Sequence, residues 1–313
     1  MNKKRVACIF PGQGAQYVGM GRSFFEAFPV ARQTFEEVDE GLGFSLSRLI
    51  LDGPIEELTL TKNCQIAIYA VSMAVWRVVR EQFSVPISSI MAAGLSLGEY
   101  TALTASGKLA FVDGIDLVSA RALYMHESSI KYPGTMAACL GIELSRVRPI
   151  VEGIEGVWIA NLNYPGQVVI SGTLAGVEMA GSMLKKMGAR RFIPLDVSGA
   201  FHSGLMSEAR DRLREKIEEV RLYSTPCPLV MNASGDFVAS EESMRQHLID
   251  QVTSPVYWGD GICKMEGRGV ELFIEMGCGK TLSNMNRKIG VGVPTLSIER
   301  VEDLEPLART NIF

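Results

Sequence analysis

The stretch Gly94-Leu95-Ser96-Leu97-Gly98-Glu99 decides the fold of this chain. It follows the apolar run Ile90-Met91-Ala92-Ala93 and leads into residues 100–105, which are predicted to form a helix. A serine with glycines two residues to either side, on a sharp turn between a strand and a helix, is typical of a nucleophile elbow. Such a turn holds the serine in a sparsely allowed backbone conformation. We therefore predict that Ser96 is an exposed nucleophile at a helix N-terminus, where backbone N–H groups can stabilise an oxyanion.

Apolar runs alternate with helical patterns in the first part of the chain. Val6-Ala7-Cys8-Ile9-Phe10 is continuously apolar and ends in Pro-Gly, which is typical of a strand buried on both faces of a parallel sheet. Residues 22–40 and 113–129 have helical patterns, and residues 64–83 are apolar nearly all round, which predicts a helix in the interior. This order predicts an α/β protein with helices on both faces of the sheet.

The middle of the chain has a different pattern. Four short strands are predicted at residues 135–141, 158–163, 167–172 and 190–196, with helices at 145–152 and 173–188. Their order, β-α-β-β-α-β, is that of a ferredoxin-like unit. A charged helix at 205–220 and strands at 228–233, 270–276 and 294–298 then return to the first pattern. We predict a large α/β unit of residues 1–130 and 199–313, into which a small unit of residues 131–198 is inserted.

Composition excludes several classes of function. The net charge of −4 argues against a general affinity for nucleic acid. The most apolar run, residues 66–76, is followed by Arg77 and Arg80, so no membrane span is predicted. The six cysteines are scattered without metal-ligand spacing, which indicates small buried residues in a reducing compartment. The sequence predicts a cytoplasmic protein with no disulfide, no metal and no membrane partner.

A serine nucleophile needs a base, and the sequence contains only three histidines. His247 lies in a polar helix and is predicted to be solvated, while His126 lies near the end of a helix and could be core or surface. His202 lies in Gly199-Ala200-Phe201-His202-Ser203-Gly204, where the chain re-enters the large unit. We predict that His202 is the base, because pairing with Ser96 outweighs a purely structural role.

Two other glycine-rich stretches are weaker candidates for a phosphate site. Pro11-Gly12-Gln13-Gly14-Ala15-Gln16 follows the first strand but lacks dinucleotide-binding spacing and a Walker lysine. Gly277-Cys278-Gly279-Lys280-Thr281 ends like a P-loop, but Ile274 occupies the position of the first glycine. The sequence therefore predicts no nucleotide site.

Three motifs together carry a family resemblance: Phe10-Pro11-Gly12-Gln13-Gly14-Ala15-Gln16, the elbow, and Ala160-Asn161-Leu162-Asn163-Tyr164-Pro165-Gly166-Gln167-Val168-Val169-Ile170-Ser171-Gly172. The chain resembles, nearly end to end, the malonyl-CoA:acyl carrier protein transacylases of fatty acid synthesis. It equally resembles the acyltransferase domains of polyketide synthases. The resemblance implies an α/β-hydrolase-like parallel-sheet core with an inserted ferredoxin-like subdomain. It also implies ping-pong transfer of a malonyl group from malonyl-CoA to the phosphopantetheine thiol of acyl carrier protein, by a monomer that uses no cofactor.

The resemblance also implies roles for individual residues. Ser96 is the nucleophile and His202 the base, the backbone N–H groups of Gln13 and Leu97 form the oxyanion hole, Arg121 binds the free carboxylate of the substrate, and Gln167 lies near the bound substrate. A guanidinium suits its role because it is always charged and can pair with a carboxylate through two hydrogen bonds. Without the resemblance, Arg121 would be interpreted as a surface charge at the edge of an amphipathic helix.

The chain departs from the family pattern at two positions. Leu95 replaces the histidine that usually precedes the nucleophile, so a polar neighbour of the acyl pocket is missing. Tyr257, in the segment Ser254-Pro255-Val256-Tyr257-Trp258, stands where some members have glutamine. The resemblance implies that a main-chain carbonyl from this segment orients His202, so the second departure is expected to matter little.

Three alternatives remain open from the sequence. A polyketide-pathway acyltransferase would use the same residues, although the lack of linker-like ends favours fatty acid synthesis. A hydrolase that removes acyl groups from a carrier protein would use the same nucleophile and base. An inactive scaffold that binds the carrier protein is disfavoured by the presence of Ser96, His202 and Arg121 together.

Overall fold

The computed structural model describes residues 5–310 and residue 312. The described part of the chain contains ten strands: β1 (Val6–Phe10), β2 (Ile90–Gly94), β3 (Thr135–Leu140), β4 (Val157–Tyr164), β5 (Gln167–Gly172), β6 (Arg191–Pro194), β7 (Val230–Met231), β8 (Asp236–Phe237), β9 (Leu272–Met276) and β10 (Thr295–Ile298). It also contains fourteen α-helices: α1 (Arg22–Ala27), α2 (Pro29–Leu42), α3 (Leu46–Asp52), α4 (Ile55–Thr59), α5 (Thr61–Gln82), α6 (Gly98–Ala105), α7 (Phe111–Lys131), α8 (Leu144–Glu152), α9 (Leu174–Lys186), α10 (Ser207–Glu219), α11 (Glu241–Gln251), α12 (Trp258–Gly267), α13 (Thr281–Ile289) and α14 (Leu304–Arg309).

A four-stranded parallel sheet of order β10-β9-β1-β2 forms the centre of the large unit. All five residues of β1 are buried, which explains the continuous apolar run in the sequence. β1 and β2 pair in parallel so that Phe10 lies opposite Gly94. The loop that follows β1 and the elbow that follows β2 therefore lie at the same edge of the sheet, and the predicted α/β class is confirmed.

A second sheet, of order β4-β5-β3-β6, is antiparallel throughout. Its strands and the helices α8 and α9 follow one another along the chain in the predicted order. Both helices pack on the sheet and bury a core of its own, separate from that of the parallel sheet, with members that include Ala137, Cys139, Ile150, Val168, Ile170 and Leu184.

The long helix α5 is buried along most of its length, as its all-round apolar sequence predicts. Sixteen of its 22 residues are buried, so it is an interior helix rather than an amphipathic surface helix. It packs against α2 and α7 in the main core. None of the helices in the described ranges combines the length and the apolar composition needed to cross a bilayer.

Two predicted elements differ in the structure. The helical stretch at 22–40 is divided into α1 and α2, because Phe28 is extended with φ −125° and ψ 122°. Phe28 precedes Pro29, and a residue before proline is disfavoured in the helical region. The strand at 228–233 is reduced to the two residues of β7, although the carbonyl of Pro228 still accepts the N–H of Ala92 from the neighbouring strand.

The predicted burial of the cysteines is confirmed with one exception. Five of them are buried and all six are unpaired, but Cys263 is exposed on α12. The buried residues of this helix are Trp258, Gly261, Ile262 and Met265, so Cys263 lies on the opposite face.

The elbow forms where β2 ends and α6 begins. Ser96 has a φ of 52°, in the left-handed region that side chains other than glycine rarely adopt. A Cβ atom on Gly94 would collide with the carbonyl of Gly98, and a Cβ atom on Gly98 would collide with the carbonyl of Phe10. Both glycines are therefore required by close backbone contacts, and the predicted strand–turn–helix geometry around Ser96 is confirmed.

Substitution of Gly98 tests this constraint. Gly98→Ala should lower the free energy of unfolding by about 3 kcal/mol or more, because the new methyl group meets main-chain atoms that cannot move independently. Gly267→Ala is the matched control, since a Cβ atom there has nothing within 4 Å and alanine favours the helix. The measurement is denaturant unfolding of both variants and the wild type. Equal stability of the two variants would contradict the role given to Gly98.

Candidate active site

The structure brings Ser96 and His202 together from distant parts of the chain. Ser96 Oγ lies 2.8 Å from His202 Nε2. His202 Nδ1 lies 2.8 Å from the main-chain oxygen of Gln251, so Nδ1 carries the hydrogen and donates it to that oxygen. Nε2 is then the unprotonated nitrogen, which can accept the proton of the serine hydroxyl. The two residues predicted as nucleophile and base therefore have the geometry that proton transfer requires.

Two main-chain groups orient His202, one outside the predicted segment and one within it. The carbonyl of Gln251 accepts the hydrogen of Nδ1 at 2.8 Å, and the main chain of Ser254, in the predicted segment 254–258, forms a further hydrogen bond with the imidazole. Gln251 is the last residue of α11, and the last carbonyls of a helix have no partner within that helix. Tyr257 donates its N–H to the main-chain oxygen of Asn232 and is not among the residues that line the active-site cavity.

The environment of His202 keeps the imidazole neutral. Burial, together with the positive charge of Arg121, lowers the pKa of His202 to about 4. Hydrogen bonds with the main chain of Gln251 and of Ser254 raise the pKa but are outweighed. At pH 7 the side chain is therefore an unprotonated base.

The other two histidines are placed differently. His126 and His247 are both half-buried, and the Nδ1 atom of each is buried without a hydrogen-bond partner among the described residues. The side chain of His247, predicted to be solvated, is therefore solvated only in part. Of the three histidines, all of which the structure describes, only His202 lines the cavity.

Arg121 is buried beside the nucleophile. Its side chain is 1% exposed, which rules out the interpretation as a surface charge. Nη2 donates to Ser96 Oγ and to Gln251 Oε1 at 3.0 Å each, and Nη1 donates to Gln65 Oε1 at 2.5 Å. Its Nε atom is buried and has no hydrogen-bond partner among the described residues. The guanidinium is therefore held by neutral groups and retains an unused donor.

Gln13 and Leu97 line the cavity on either side of the nucleophile's turn. Gln13 lies in the loop after β1, and Leu97 immediately precedes α6. The two loops are in contact, because a Cβ atom on Gly12 would lie only 2.6 Å from the carbonyl oxygen of Leu95. Within the described residues, the N–H groups of Gln13 and Leu97 donate to no other group. Both are therefore available to an oxyanion.

A set of buried polar side chains holds the elbow from behind. The N–H of Ser96 donates to Asn232 Oδ1 at 2.6 Å, and Asn232 Nδ2 donates to the carbonyl of Gly94 at 2.7 Å. Gln251 Nε2 donates to the carbonyl of Ser96 at 2.8 Å. Glu99 is fully buried and accepts hydrogen bonds from the N–H of Asn232 and from Gln251 Nε2, both at 2.5 Å. Both main-chain groups of the nucleophile are thus fixed by side chains.

Sequence reasoning misses four of these supporting residues. Asn232 and Gln251 lie in segments without a motif, and Glu99 belongs to the elbow but has no pattern that predicts its burial. Gln65 has the one usable signal, since it is an amide within the apolar stretch that forms α5. A polar side chain on a helix predicted to be interior needs a buried partner.

The cavity in front of Ser96 has a volume of about 400 Å³, and its walls combine polar side chains with apolar ones. The apolar side chains include Leu95, Met125, Met136, Val169, Leu195, Phe201 and Met285. Gln167 is not among the lining residues. Its Oε1 accepts a hydrogen bond at 2.9 Å from Nδ2 of Asn163, which does line the cavity. Gln167 therefore contacts a residue that lines the cavity but does not line the cavity itself.

The main-chain N–H groups in and after the P-loop-like segment 277–281 already have hydrogen-bond partners. Buried Glu275 accepts hydrogen bonds from the N–H groups of Leu282 and Ser283 at the start of α13, at 2.8 and 3.0 Å. The N–H of Gly279 donates to Glu299 at 3.0 Å. Carboxylates therefore take the donors that a phosphate would need. Among the described residues, no three His, Cys, Asp or Glu side chains cluster as metal ligands.

Comparison with known proteins places this site in a family. The family model described as acyl transferase domain matches residues 7–288 of this chain. The malonyl CoA-acyl carrier protein transacylase of Bacillus subtilis (strain 168) is 40% identical over 310 residues, which cover 98% of this chain and 97% of that protein. The acyl-carrier-protein S-malonyltransferase of Bartonella henselae has a crystal structure that is similar with a TM-score of 0.92 and 37% identity, covering 98% and 99% of the two chains. A malonyl-transacylase solved with a type II polyketide synthase acyl carrier protein is 34% identical with a TM-score of 0.92, covering 98% of this chain and all of that one.

The pKa of His202 predicts how the reactivity of Ser96 depends on pH. The rate at which a fluorophosphonate probe labels Ser96 should rise with pH through about 4 and be constant near neutrality, because only the neutral imidazole accepts the proton. His202→Ala should lower the rate at pH 7 by about 10²- to 10⁴-fold. His126→Ala is the control and should label at the wild-type rate. A loss of labelling in the His126 variant but not in the His202 variant would overturn the assignment.

Proposed function

Since the chain belongs to the acyl transferase domain family, we propose that it transfers a malonyl group from malonyl-CoA to the phosphopantetheine thiol of acyl carrier protein in fatty acid biosynthesis. One observation carries this proposal. Ser96 Oγ contacts both the neutral imidazole of His202, at 2.8 Å, and the guanidinium of Arg121, at 3.0 Å. A nucleophile with a base supports acyl transfer, and a buried cation beside the nucleophile suits an acyl group that ends in a carboxylate.

The first half of the reaction acylates the serine. The hydroxyl proton of Ser96 moves to Nε2 of His202 while Oγ attacks the thioester carbonyl of malonyl-CoA. The tetrahedral oxyanion accepts hydrogen bonds from the N–H groups of Gln13 and Leu97. The C–S bond then breaks, the imidazolium of His202 gives its proton to the leaving sulfur of CoA, and a malonyl-serine ester remains.

The second half of the reaction repeats these steps with a thiol. The thiol proton of the phosphopantetheine arm moves to His202 while the sulfur attacks the ester carbonyl, and the same two N–H groups bind the oxyanion. The ester bond breaks and Ser96 Oγ regains its proton from His202. Arg121 holds the malonyl carboxylate in both halves. Its unused Nε–H and its neutral neighbours support this role, because the substrate displaces no carboxylate from the guanidinium.

The division of the chain into subdomains, the role of Gln167, the oligomeric state and the cellular location are part of the same proposal. Residues 1–130 and 199–313 form an α/β-hydrolase-like catalytic subdomain, and residues 131–198 form a ferredoxin-like subdomain. The antiparallel order β4-β5-β3-β6, with a helix within each strand pair, supports the second assignment. Gln167 acts on the substrate through Asn163. The enzyme works as a monomer in the cytoplasm, which fits a site built from one chain and six unpaired cysteines.

Trapping of the acyl-enzyme tests the proposed function. Intact-protein mass spectrometry after mixing with malonyl-CoA should detect one malonyl adduct, which persists in buffer and disappears when the phosphopantetheinylated carrier protein is added. Ser96→Ala should form no adduct, because the attacking oxygen is absent. Fast loss of the adduct in buffer would indicate a carrier-protein acyl hydrolase, and a wild type without an adduct would indicate a scaffold. Comparing fatty acid and polyketide carrier proteins as acceptors distinguishes the two pathways.

Substitution of Arg121 tests the substrate class. Arg121→Ala should lower kcat/KM for malonyl-CoA, because it leaves a buried carboxylate without a partner. The loss should correspond to an increase of about 3–5 kcal/mol in the activation free energy. Use of acetyl-CoA, which brings no charge, should change little. Arg121→Lys should restore only part of the activity, because an ammonium cannot form the two parallel hydrogen bonds. Parallel losses for both substrates would make Arg121 structural.

A further inference from the structure

Glu99 is a buried carboxyl group that the mechanism above does not use. It lies in the first turn of α6, three residues after the nucleophile, and is 0% exposed. Among the described residues, no lysine or arginine forms an ion pair with it. Its two oxygens instead accept hydrogen bonds from the N–H of Asn232 and from Gln251 Nε2. A buried carboxylate without a direct ion pair is costly, so its position calls for an explanation.

The amide of Gln251 connects Glu99 to Arg121. Its Oε1 accepts a hydrogen bond from Arg121 Nη2 at 3.0 Å, while its Nε2 donates to Glu99 at 2.5 Å and to the carbonyl of Ser96 at 2.8 Å. An amide can point either way, but a guanidinium only donates and an ionised carboxylate only accepts. Glu99 on one side and Arg121 on the other therefore fix the orientation of this amide.

We propose that Glu99 is a positioning residue that, through the amide of Gln251, holds Arg121 in place for the carboxylate of the acyl group. A carboxylate in direct contact with Arg121 would occupy the donors that the substrate needs. With Gln251 between them, the ionised form of Glu99 offsets the buried positive charge and leaves the guanidinium with neutral partners. This inference rests on the proposed function, because it concerns the binding of the malonyl carboxylate.

A purely structural role of Glu99 would have a different consequence. Glu99 also accepts the N–H of Asn232, whose side chain holds the N–H of Ser96. If that were its only role, its loss would disturb the nucleophile and slow every acyl donor equally. A role through Arg121 affects only acyl groups that carry a carboxylate. The ratio of kcat/KM for malonyl-CoA to kcat/KM for acetyl-CoA separates the two.

Glu99→Gln is the direct test. The new amide can accept through only one atom, and the main-chain N–H of Asn232 cannot turn away. The amide's NH₂ group therefore faces Gln251, whose own amide must turn and point its NH₂ group at Arg121. The turned amide also loses its hydrogen bond to the Ser96 carbonyl, which slows both acyl donors. We expect the ratio of kcat/KM for malonyl-CoA to kcat/KM for acetyl-CoA to fall about 10-fold or more. The assays are run above pH 8, because burial raises the pKa of Glu99 to about 8.

Glu275→Gln is the matched control. Glu275 is also 0% exposed and accepts two main-chain N–H groups, but it caps α13 and has no hydrogen bond to the catalytic residues. The same chemical change there should leave the malonyl-to-acetyl ratio at the wild-type value, whatever it does to stability. A change of the ratio in this variant as large as that in Glu99→Gln would overturn the inference.

Gln251→Met provides a second route if Glu99→Gln fails to fold. It keeps the main-chain carbonyl that orients His202 but removes both the connecting amide and the hydrogen bond to the Ser96 carbonyl. Both acyl donors should therefore react more slowly, and the ratio of kcat/KM for malonyl-CoA to kcat/KM for acetyl-CoA should still fall. A double-mutant cycle completes the test: in an Arg121→Ala background, the second substitution should no longer change the ratio. Additive effects on the ratio, or parallel losses for both acyl donors in the single variants, would overturn the inference.

The experiments distinguish failure of the proposed function from failure of the positioning role of Glu99. A wild type that forms no malonyl adduct would overturn both the proposed function and this inference. A wild type that uses malonyl-CoA, with variants that lose both acyl donors in parallel, would overturn the positioning role of Glu99 alone.

Discussion

The left-handed backbone conformation of Ser96, with φ at 52°, is the constraint on which the rest of the site depends. A residue held in this region costs about 1–3 kcal/mol and persists only where its surroundings enforce it. Here the N–H of Ser96 is bound by Asn232 and its carbonyl by Gln251, so neither main-chain group can leave the turn without losing a buried hydrogen bond. The close approach of Gly98 to the carbonyl of Phe10 fixes the turn against the central strand. Ser96, the proposed nucleophile, is therefore positioned by the sheet itself and by hydrogen bonds from outside the elbow.

The second constraint is the charge of Arg121 in a buried site. A direct carboxylate partner would stabilise the free enzyme but compete with the substrate, whereas no partner at all would leave an uncompensated charge. The observed arrangement lies between these extremes: two amide oxygens, from Gln65 and Gln251, accept its hydrogen bonds, and Glu99 lies beyond one of them. The same positive charge contributes to the low pKa of His202. In the proposed function, one buried cation thus binds the substrate carboxylate and helps to keep the base neutral.

The sequence predicts well what depends on local geometry. β1 and β5 have the predicted bounds, because a continuous apolar run and a Pro-Gly turn are local signals. The elbow could be predicted because its glycines are required by contacts within the turn and with the adjacent strand. His202 could be chosen because only three histidines compete for the role. Where a prediction fails, as for the helix at 22–40, the cause is one extended residue before a proline.

The partners of the catalytic residues could not be predicted in this way, and the reason is physical. Asn232 and Gln251 are 136 and 155 residues from Ser96, and each acts through the position of one or two atoms. No spacing rule connects such residues, since their contacts arise only when α11 and the segment after β7 pack behind the elbow. The carbonyl that orients His202 illustrates the point. Its place at Gln251 follows from where α11 ends, because the last carbonyl of a helix is free to accept, and the side chain at that position has no part in the contact. A main-chain atom in a catalytic role therefore leaves no trace in the residue type, and only the fold reveals it.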